Sequence, residues 1–172
     1  MRIVAGRWRG RRLVAPKGDA VRPTADRVRE AWMSIVQPAL PGARVLDLFA
    51  GSGALGLESL SRGAGHVDLI ERAAASLRAI AANVEALGAT ELVTVHRLDA
   101  MRFVADLRPH DYDVAFVDPP YDLGLATAIA EAWLATPFAE LIGIEHRIHE
   151  KLPAGGETRR YGGTGITFYR VE

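Results

Sequence analysis

From residue 42 onward, the chain alternates between short continuous apolar runs and longer segments whose apolar residues recur at helical spacing. The apolar runs predict strands buried on both faces, and the segments between them predict amphipathic helices. The predicted strands are Arg44–Ala50, His66–Glu71, Leu92–Arg97, Asp113–Asp118 and Leu141–His146, and the helices between them are Ala54–Ser61, Ala73–Leu87, Ala100–Leu107 and Gly124–Ala135. Strands joined by crossover helices pair in parallel, which predicts a doubly wound α/β sheet.

Both ends of the chain depart from this alternation. The tail offers two extended segments, Glu157–Tyr161 and Gly165–Arg170, which predict an antiparallel hairpin at one sheet edge. The first residues predict another hairpin, because two short apolar pairs flank a stretch rich in glycine and arginine. Thr24 is the predicted N-cap of a helix over Ala25–Val36.

These elements predict a mostly parallel, seven-stranded Rossmann-like sheet over residues 24–172, preceded by a basic β-hairpin and loop over residues 1–23. The 172 residues include no cysteine, which excludes disulfides and thiolate metal sites. No apolar run reaches the length of a membrane span, and the first residues lack the uninterrupted apolar run of a signal peptide. We therefore expect a cytoplasmic protein.

Charge is unevenly distributed, although the whole chain has a net charge of zero. Residues 1–36 carry nine basic and three acidic side chains, a net charge of +6, and the remainder carries −6. A basic end on an acidic body favours a polyanionic partner, with a solvated basic hairpin as an equally good alternative. In an extended strand Arg7, Arg9 and Arg11 would share one face, with Trp8 on the other.

A glycine-rich loop, Gly51-Ser-Gly53-Ala-Leu-Gly56, joins the first predicted strand to the next helix. Glu71 lies twenty residues after Gly51, where a dinucleotide-binding fingerprint has its acid. Asp47 argues against that ligand, because a carboxylate facing the crevice would repel two phosphates. It would instead hold the ammonium group of S-adenosylmethionine, directly or through water, while the helix N-terminus binds the carboxylate.

Two acids end predicted strands on the same side as this loop. Glu71 could accept hydrogen bonds from both ribose hydroxyls of the ligand, and Asp99 could accept one from the adenine amine. Glu71 could also be an exposed strand-end charge, and Asp99 a helix N-cap. Together with Asp47, they place three acids on three adjacent strands, which favours ligand binding.

The candidate catalytic motif, Asp118-Pro-Pro-Tyr121, closes the fourth predicted strand, beside the first strand in this topology. Two prolines fix the backbone and remove two N–H donors. In this motif, a carboxylate and a backbone carbonyl could accept the two protons of an exocyclic base amine. These hydrogen bonds would orient the amine nitrogen toward a methyl donor and stabilise the positive charge that develops on the nitrogen. Tyr121 could stack on the base. The alternative is a rigid strand-to-loop exit with an ordinary aspartate and tyrosine.

The segment Asp47-Leu-Phe-Ala-Gly-Ser-Gly-Ala-Leu-Gly-Leu-Glu58, combined with Asp118-Pro-Pro-Tyr121, resembles the amino-methyltransferase superfamily. Two further segments are similar to the bacterial 16S rRNA guanine-N2 methyltransferase family usually called RsmD. They are the opening Arg2-Ile-Val-Ala-Gly-Arg-Trp-Arg-Gly-Arg-Arg-Leu13 and the segment Arg22-Pro-Thr-Ala-Asp-Arg-Val-Arg-Glu30. This resemblance implies methylation of a guanine N2 in 16S rRNA, within the small ribosomal subunit or its assembly intermediate, with S-adenosylmethionine as cofactor. It also implies that the residues around Thr24 help to close the cofactor pocket.

The motifs and the resemblance together give a set of candidate site residues. The predicted catalytic residues are Asp118, Pro119 and Tyr121. The predicted cofactor-binding residues are Thr24, Asp47, Phe49, Gly51, Gly53, Glu71, Asp99, Ala100 and Asp118. The predicted RNA-binding residues are Arg7, Trp8, Arg9, Arg11, Arg12 and Arg22. We expect a monomer without a metal ion.

Three other functions compete with this interpretation. DNA adenine-N6 methyltransferases use the same tetrapeptide, so the motif alone leaves guanine and adenine, and RNA and DNA, open. The short chain offers no obvious separate domain for reading a DNA sequence in the major groove. A nicotinamide-dependent oxidoreductase is disfavoured by Asp47, and a non-catalytic rRNA-binding factor is disfavoured by the complete set of pocket acids.

Overall fold

The computed structural model describes residues 1–17 and 23–172, without the side chains of residues 23–25. Its helices are α1 (Pro23–Val36), α2 (Ala54–Ser61), α3 (Ala74–Leu87), α4 (Ala100–Ala105) and α5 (Leu125–Ala135). Its strands are β1 (Arg44–Leu48), β2 (His66–Glu71), β3 (Val93–Arg97), β4 (Tyr112–Val117), β5 (Ala139–Arg147), β6 (Glu157–Tyr161) and β7 (Thr164–Arg170). Across the described ranges, no helix is both long and apolar enough to cross a bilayer.

The strands form one sheet in the order β3-β2-β1-β4-β5-β7-β6. Strands β1 to β5 pair in parallel, and β7 runs antiparallel to both β5 and β6. Because β1 lies between β2 and β4, the crossovers on its two sides run in opposite directions, and a crevice forms at the carboxyl ends of β1 and β4. The predicted doubly wound sheet with a C-terminal antiparallel hairpin is confirmed.

Each face of the sheet packs on helices through its own apolar core. On one face, Trp32 of α1 packs edge-on against Phe116, with ring centroids 5.5 Å apart. The same indole lies so close to Gly143 that a Cβ there would be 2.5 Å from its Nε1 atom. On the other face, Trp133 of α5 packs against Tyr169 with ring centroids 5.7 Å apart. Trp32 therefore fixes α1 against β4 and β5, and Trp133 fixes α5 against β7.

Residues 1–13 form a short hairpin whose antiparallel pairing is confined to its ends. The Ile3 N–H donates to the Arg11 carbonyl at 2.9 Å, and the Leu13 N–H donates to the Met1 carbonyl at 3.0 Å. Between them the chain turns through Gly6 and Gly10, which have φ values of +88° and +84°. The predicted alternation of arginines and Trp8 across a strand is therefore wrong, because two left-handed glycines replace extended backbone with tight turns.

This hairpin is fixed to the C-terminal half of α2. The backbone N–H groups of Val4 and Ala5 donate to the buried Glu58 carboxylate at 3.0 and 3.2 Å. At Gly6, an added Cβ would lie 1.8 Å from the carbonyl oxygen of Ser61, so only glycine allows this approach. The hairpin is consequently part of the packed molecule and keeps a defined position relative to the sheet.

Helix α1 begins at Pro23, two residues before the predicted start. The fixed φ of proline suits the first helical turn, where its missing N–H is no loss. Thr24 therefore lies inside the first turn and not at the predicted N-cap position. Its side chain and the whole of Arg22 lie outside the described residues.

Candidate active site

The glycine-rich loop leaves the carboxyl end of β1 and passes directly into α2. Gly51 and Gly53 adopt left-handed backbone, with φ values of +58° and +82°, and Gly53 is the N-cap residue of α2. A Cβ added at Gly51 would meet no atom within 4 Å, so the loop borders open space on that side. Phe49 has a φ of +58° without being glycine, which costs roughly 1–3 kcal/mol and is typical of functional sites.

Asp47 lies beneath this loop. Its side chain is 1% exposed, and its Oδ2 atom accepts the Gly56 N–H at 2.9 Å in the first turn of α2. Burial raises the pKa of the Asp47 carboxyl to about 8, while the hydrogen bond from Gly56 lowers it and the charge of Glu71 adds to the increase. The structure thus places Asp47 under the loop and not facing the open crevice, because its carboxylate is directed at the first turn of α2.

Glu71 ends β2 and connects the glycine loop to α3. Its Oε2 atom accepts the Gly51 N–H at 2.8 Å, and its Oε1 atom accepts the N–H groups of Arg72 and Ala73, each at 2.9 Å. A carboxylate offers about four acceptor positions, so three backbone donors fix its orientation and leave capacity for a ligand hydroxyl. The structure brings Glu71 and the loop together as one unit.

Asp99 follows β3 and is the N-cap of α4, which begins at Ala100. Its Oδ1 atom accepts the Arg102 N–H at 3.2 Å, and its Oδ2 atom lies 3.5 Å from a guanidinium nitrogen of Arg72. The capping role is therefore present, and the remaining acceptor positions of the carboxylate are compatible with a ligand contact.

The motif Asp118-Pro-Pro-Tyr121 leaves β4 directly beside β1. Residues Val117 and Leu48 are paired in register, so the motif begins level with the segment that enters the glycine loop. Asp118 is exposed, whereas Pro119 is buried. Because neither proline has an N–H group, the carboxylate and the carbonyls of this turn act as acceptors. The turn is suited to a ligand group that donates two hydrogen bonds, such as an amine.

Tyr121 is fixed by residues from β5 and β7. Its hydroxyl donates to Glu145 Oε1 at 2.8 Å and lies 3.2 Å from Thr164 Oγ1. The Arg147 guanidinium lies 4.7 Å from the centroid of the Tyr121 ring, and its Nε donates to both carboxylate oxygens of Asp122 at 3.0 and 3.2 Å. One face of the ring is therefore covered by Arg147, and the opposite face is the one on which a base could stack.

Glu145, Arg147 and Thr164 are site residues that the sequence analysis missed. Glu145 lies near the carboxyl end of the predicted strand Leu141–His146, so the rule that selected the other strand-end acids would have found it if applied to every strand. No sequence pattern indicates the other two residues, because their approach to Tyr121 depends on the antiparallel pairing of β5 with β7.

The donors and acceptors around the loop fit S-adenosylmethionine better than a dinucleotide. The N-terminus of α2 favours a carboxylate, Glu71 retains one acceptor position for a ribose hydroxyl and not the predicted two, and Asp99 offers acceptors to an adenine amine. Asp47 lies beneath the loop, where a bound cation lowers the raised pKa of its carboxyl group and favours the ionised form, whereas phosphate would oppose ionisation. Within residues 1–17 and 23–172, no group of three or more histidine or acidic side chains is arranged to hold a metal ion.

The basic hairpin lies at the opposite end of α2 from the glycine loop. The backbone N–H of Trp8 donates to the Oγ atom of Ser61, the last residue of α2, at 3.0 Å. The eight-residue helix separates the two ends by roughly 12 Å. Trp8 is half-buried against the core, with the Arg7 guanidinium 4.5 Å from its ring, and Arg11 donates to the Ala86 carbonyl at 2.5 Å. The exposed arginines of the hairpin are Arg2, whose guanidinium donates to the Gly10 carbonyl, and Arg7, Arg9, Arg11 and Arg12.

Comparison with known proteins identifies the fold and the family. The model of the family described as "Conserved hypothetical protein 95" matches residues 1–170. Ribosomal RNA small subunit methyltransferase D of Escherichia coli strain K12 is 40% identical over 159 residues, which cover 89% of this chain and 78% of that protein. The solved structure of Escherichia coli yhhF has a TM-score of 0.85 and 35% identity, and the match covers 100% of this chain and 98% of that chain.

A more distant structure shares the fold. It is the 16S rRNA N2 methyltransferase RsmC of Thermus thermophilus, in complex with AdoMet and guanosine. Its TM-score is 0.69 at 20% identity, and the match covers 92% of this chain and 45% of that chain. The family predicted from the motifs is confirmed: the chain belongs to the family of ribosomal RNA small subunit methyltransferase D.

Proposed function

We propose that this chain transfers a methyl group from S-adenosylmethionine to the exocyclic N2 amine of a guanine in 16S rRNA, within the small ribosomal subunit or an assembly intermediate. The observation that carries the proposal is the position of Asp118-Pro-Pro-Tyr121 beside the glycine loop, on adjacent strands β4 and β1. The 40% identity to a methyltransferase named for small-subunit rRNA supports the substrate class.

The cofactor is S-adenosylmethionine, which when bound supplies an electrophilic methyl group on a positively charged sulfur. In the proposed arrangement, Glu71 accepts a hydrogen bond from one ribose hydroxyl, because three backbone donors occupy its other acceptor positions. Asp99 with the first turn of α4 contacts the adenine. The first turn of α2 holds the methionine carboxylate, because its N–H groups lack intrahelical acceptors. Asp47 acts beneath the loop, where the cationic part of the ligand favours ionisation of its carboxyl group and is then balanced by the resulting charge.

On the opposite side of the crevice, Asp118 and the backbone carbonyls of the proline turn orient the target amine. The lone pair of an exocyclic amine is delocalised into the ring, so the free base is a poor nucleophile. Two acceptors that bind its two protons direct the nitrogen toward the methyl group and stabilise the positive charge that develops on it. As the nitrogen–carbon bond formed, the methyl carbon–sulfur bond of the cofactor would break and release S-adenosylhomocysteine. One amine proton would pass to the Asp118 carboxylate and from there to solvent, because this side chain is exposed.

The hairpin and loop of residues 1–23 are proposed as the RNA-binding extension of a methyltransferase domain formed by residues 24–172. The hairpin lies roughly 12 Å along α2 from the glycine loop. Its arginines therefore contact a phosphate backbone next to the target nucleotide and not the target base. We also propose that the chain acts as a monomer in the cytoplasm.

A labelling experiment with matched polymers tests the substrate class. Purified small ribosomal subunits, deproteinised 16S rRNA and duplex DNA are each incubated with methyl-labelled S-adenosylmethionine and the chain. We expect label in RNA, with small subunits or their assembly intermediates as the best substrate. Label in duplex DNA with none in either RNA would contradict the proposal and favour the adenine-N6 alternative.

Replacing Arg7, Arg9 and Arg12 together by glutamine should weaken association with 16S rRNA by roughly tenfold at 0.15 M salt. Because fewer phosphates are neutralised, RNA binding by the variant releases fewer counterions. The slope of log affinity against log salt should therefore fall in magnitude by about 2 to 3. Arg11 is left in place because its guanidinium binds the Ala86 carbonyl. The measurement is a filter-binding titration over a range of salt concentrations.

The matched control changes three exposed arginines away from the hairpin, namely Arg78, Arg108 and Arg159, to glutamine. It removes the same charge and should leave the salt slope almost unchanged. Affinity for S-adenosylmethionine should be the same in both variants. An equal loss of slope in both would mean that net charge, and not the hairpin, governs RNA association.

A further inference from the structure

We propose that Glu145 is a specificity residue that selects guanine over adenine by accepting the N1–H proton of the target base beside Asp118. This inference rests on the proposed function and adds a residue for base selection, which the Asp118-Pro-Pro-Tyr121 motif by itself does not provide. Its basis is the position of Glu145 relative to Asp118 and Tyr121.

The register of β4 and β5 brings the two carboxylates side by side. Val117 pairs with Ile144 in the parallel ladder, and Asp118 and Glu145 directly follow these residues. Neighbouring strands lie about 4.8 Å apart. Ile144 belongs to the core on one face of the sheet, so the next residue of β5, Glu145, points toward the other face. Asp118 directly follows β4, and the charges of Asp118 and Glu145 both act on the Tyr121 hydroxyl, so both carboxylates lie near it. Two acceptor groups therefore lie next to each other at the same edge of the crevice.

Tyr121 fixes Glu145 relative to the surface on which a base would stack. The hydroxyl of the tyrosine donates to Oε1 of Glu145 at 2.8 Å. Burial raises the pKa of Tyr121 to about 12. The hydrogen bond with Thr164 opposes this increase, and the charges of Glu145 and Asp118 add to it. The phenol stays protonated through the neutral range and donates, and the carboxylate accepts. The hydrogen bond from Tyr121 occupies one of about four acceptor positions of the Glu145 carboxylate, which can therefore also accept a base N–H.

The Watson–Crick edges of the two purines differ at this contact. Guanine presents an N1–H donor beside the two N–H donors of its N2 amine. Adenine presents an N1 lone pair beside its N6 amine, so a second carboxylate would face an acceptor. A site built to accept a hydrogen bond strongly rejects an analogue that lacks the donor, because the buried acceptor is then left unpaired. Two adjacent carboxylates therefore match guanine and oppose adenine.

The test compares guanine with 2-aminopurine, which keeps the N2 amine but has a lone pair at N1. Small subunits are reconstituted with 16S rRNA that carries either base at the nucleotide labelled by the wild-type chain. We expect the wild type to methylate guanine at least about 100-fold faster. Glu145→Gln retains an acceptor for the Tyr121 hydroxyl and offers an N–H to N1, so guanine methylation should fall while the preference shrinks to below about tenfold. Glu145→Met, which removes the acceptor at similar side-chain volume, should also reduce the preference for guanine over 2-aminopurine.

Two control variants separate selection from anchoring. Thr164→Val removes the other polar contact of the Tyr121 hydroxyl and should slow both bases equally, which leaves the preference unchanged. Glu140→Gln alters an exposed carboxylate earlier in β5 and should change neither rate. If both Glu145 variants bind S-adenosylmethionine normally but slow both bases equally, Glu145 only anchors Tyr121 and the inference is wrong. Failure of the proposed function itself would appear differently, as an absence of any labelled nucleotide with the wild type.

Discussion

Asp118→Ala is expected to lower the rate of methyl transfer by about a thousandfold or more while changing the dissociation constant of S-adenosylmethionine by less than about threefold. The reason is that the glycine loop, Glu71 and Asp99, which hold the cofactor in the proposed arrangement, follow β1, β2 and β3. Asp118 belongs to the turn after β4, and of its two predicted roles we assign it to the target amine and not to the cofactor. Loss of this carboxylate removes an acceptor from the amine without touching the glycine loop. Single-turnover transfer to small subunits and calorimetric cofactor binding measure the two quantities separately.

Asp113→Asn is the matched control, because Asp113 lies on the same strand at the end away from the crevice. Its carboxylate accepts the Arg44 N–H at 2.8 Å, and an asparagine oxygen can replace it. This variant should transfer methyl groups at close to the wild-type rate. If Asp118→Ala abolished cofactor binding, Asp118 would belong to the cofactor pocket and the assignment to the target amine would be incorrect.

Asp47→Asn is expected to weaken S-adenosylmethionine binding by roughly thirtyfold at pH 8.5, because a buried charge beneath the cationic ligand is lost. The asparagine oxygen can still accept the Gly56 N–H, which keeps the first turn of α2 in place. Methyl transfer at saturating cofactor should be much less affected than binding. Calorimetric titration of both proteins with the cofactor measures this effect.

The same substitution should change the pH dependence of stability in a defined direction. Because burial raises the pKa of Asp47 from 3.8 to about 8, the folded chain retains a proton between these values that the unfolded chain releases. Its contribution to the free energy of unfolding is therefore fully present below pH 4 and is lost as the pH rises through 8. The melting temperature of Asp47→Asn minus that of the wild type should increase by about 5 °C or more between pH 5 and pH 8.5. A difference independent of pH would show that Asp47 is ionised throughout.

The parallel part of the fold could be predicted well because its strands are continuous apolar runs. The bounds predicted for β2 and α2, His66–Glu71 and Ala54–Ser61, agree with the structure. Strand β5 is longer than predicted, covering Ala139–Arg147, since Ala139 pairs with Tyr112 of β4 and Arg147 pairs with Thr164 of β7. Neither pairing is visible in the local pattern. The confirmed fold and family therefore rest on features that are local in sequence.

The site was predictable in its positions but not in its contacts. Sequence spacing placed Asp47 and Glu71 at the glycine loop, yet it could not reveal that Asp47 is buried against Gly56. The surroundings of Tyr121 were also hidden, because Glu145 and Thr164 meet it only after two distant strands have paired. Roles assigned to individual residues therefore depend on long-range packing, which a motif does not encode.

The identity of the methylated nucleoside decides whether this chain is a guanine-N2 methyltransferase. RNA labelled by the wild-type chain is digested to nucleosides, which are separated and identified by mass spectrometry, with the Asp118→Ala variant as the blank. We expect label in N2-methylguanosine at a single 16S rRNA position and none in the blank. Label in N6-methyladenosine, or at a guanine atom other than N2, would contradict it.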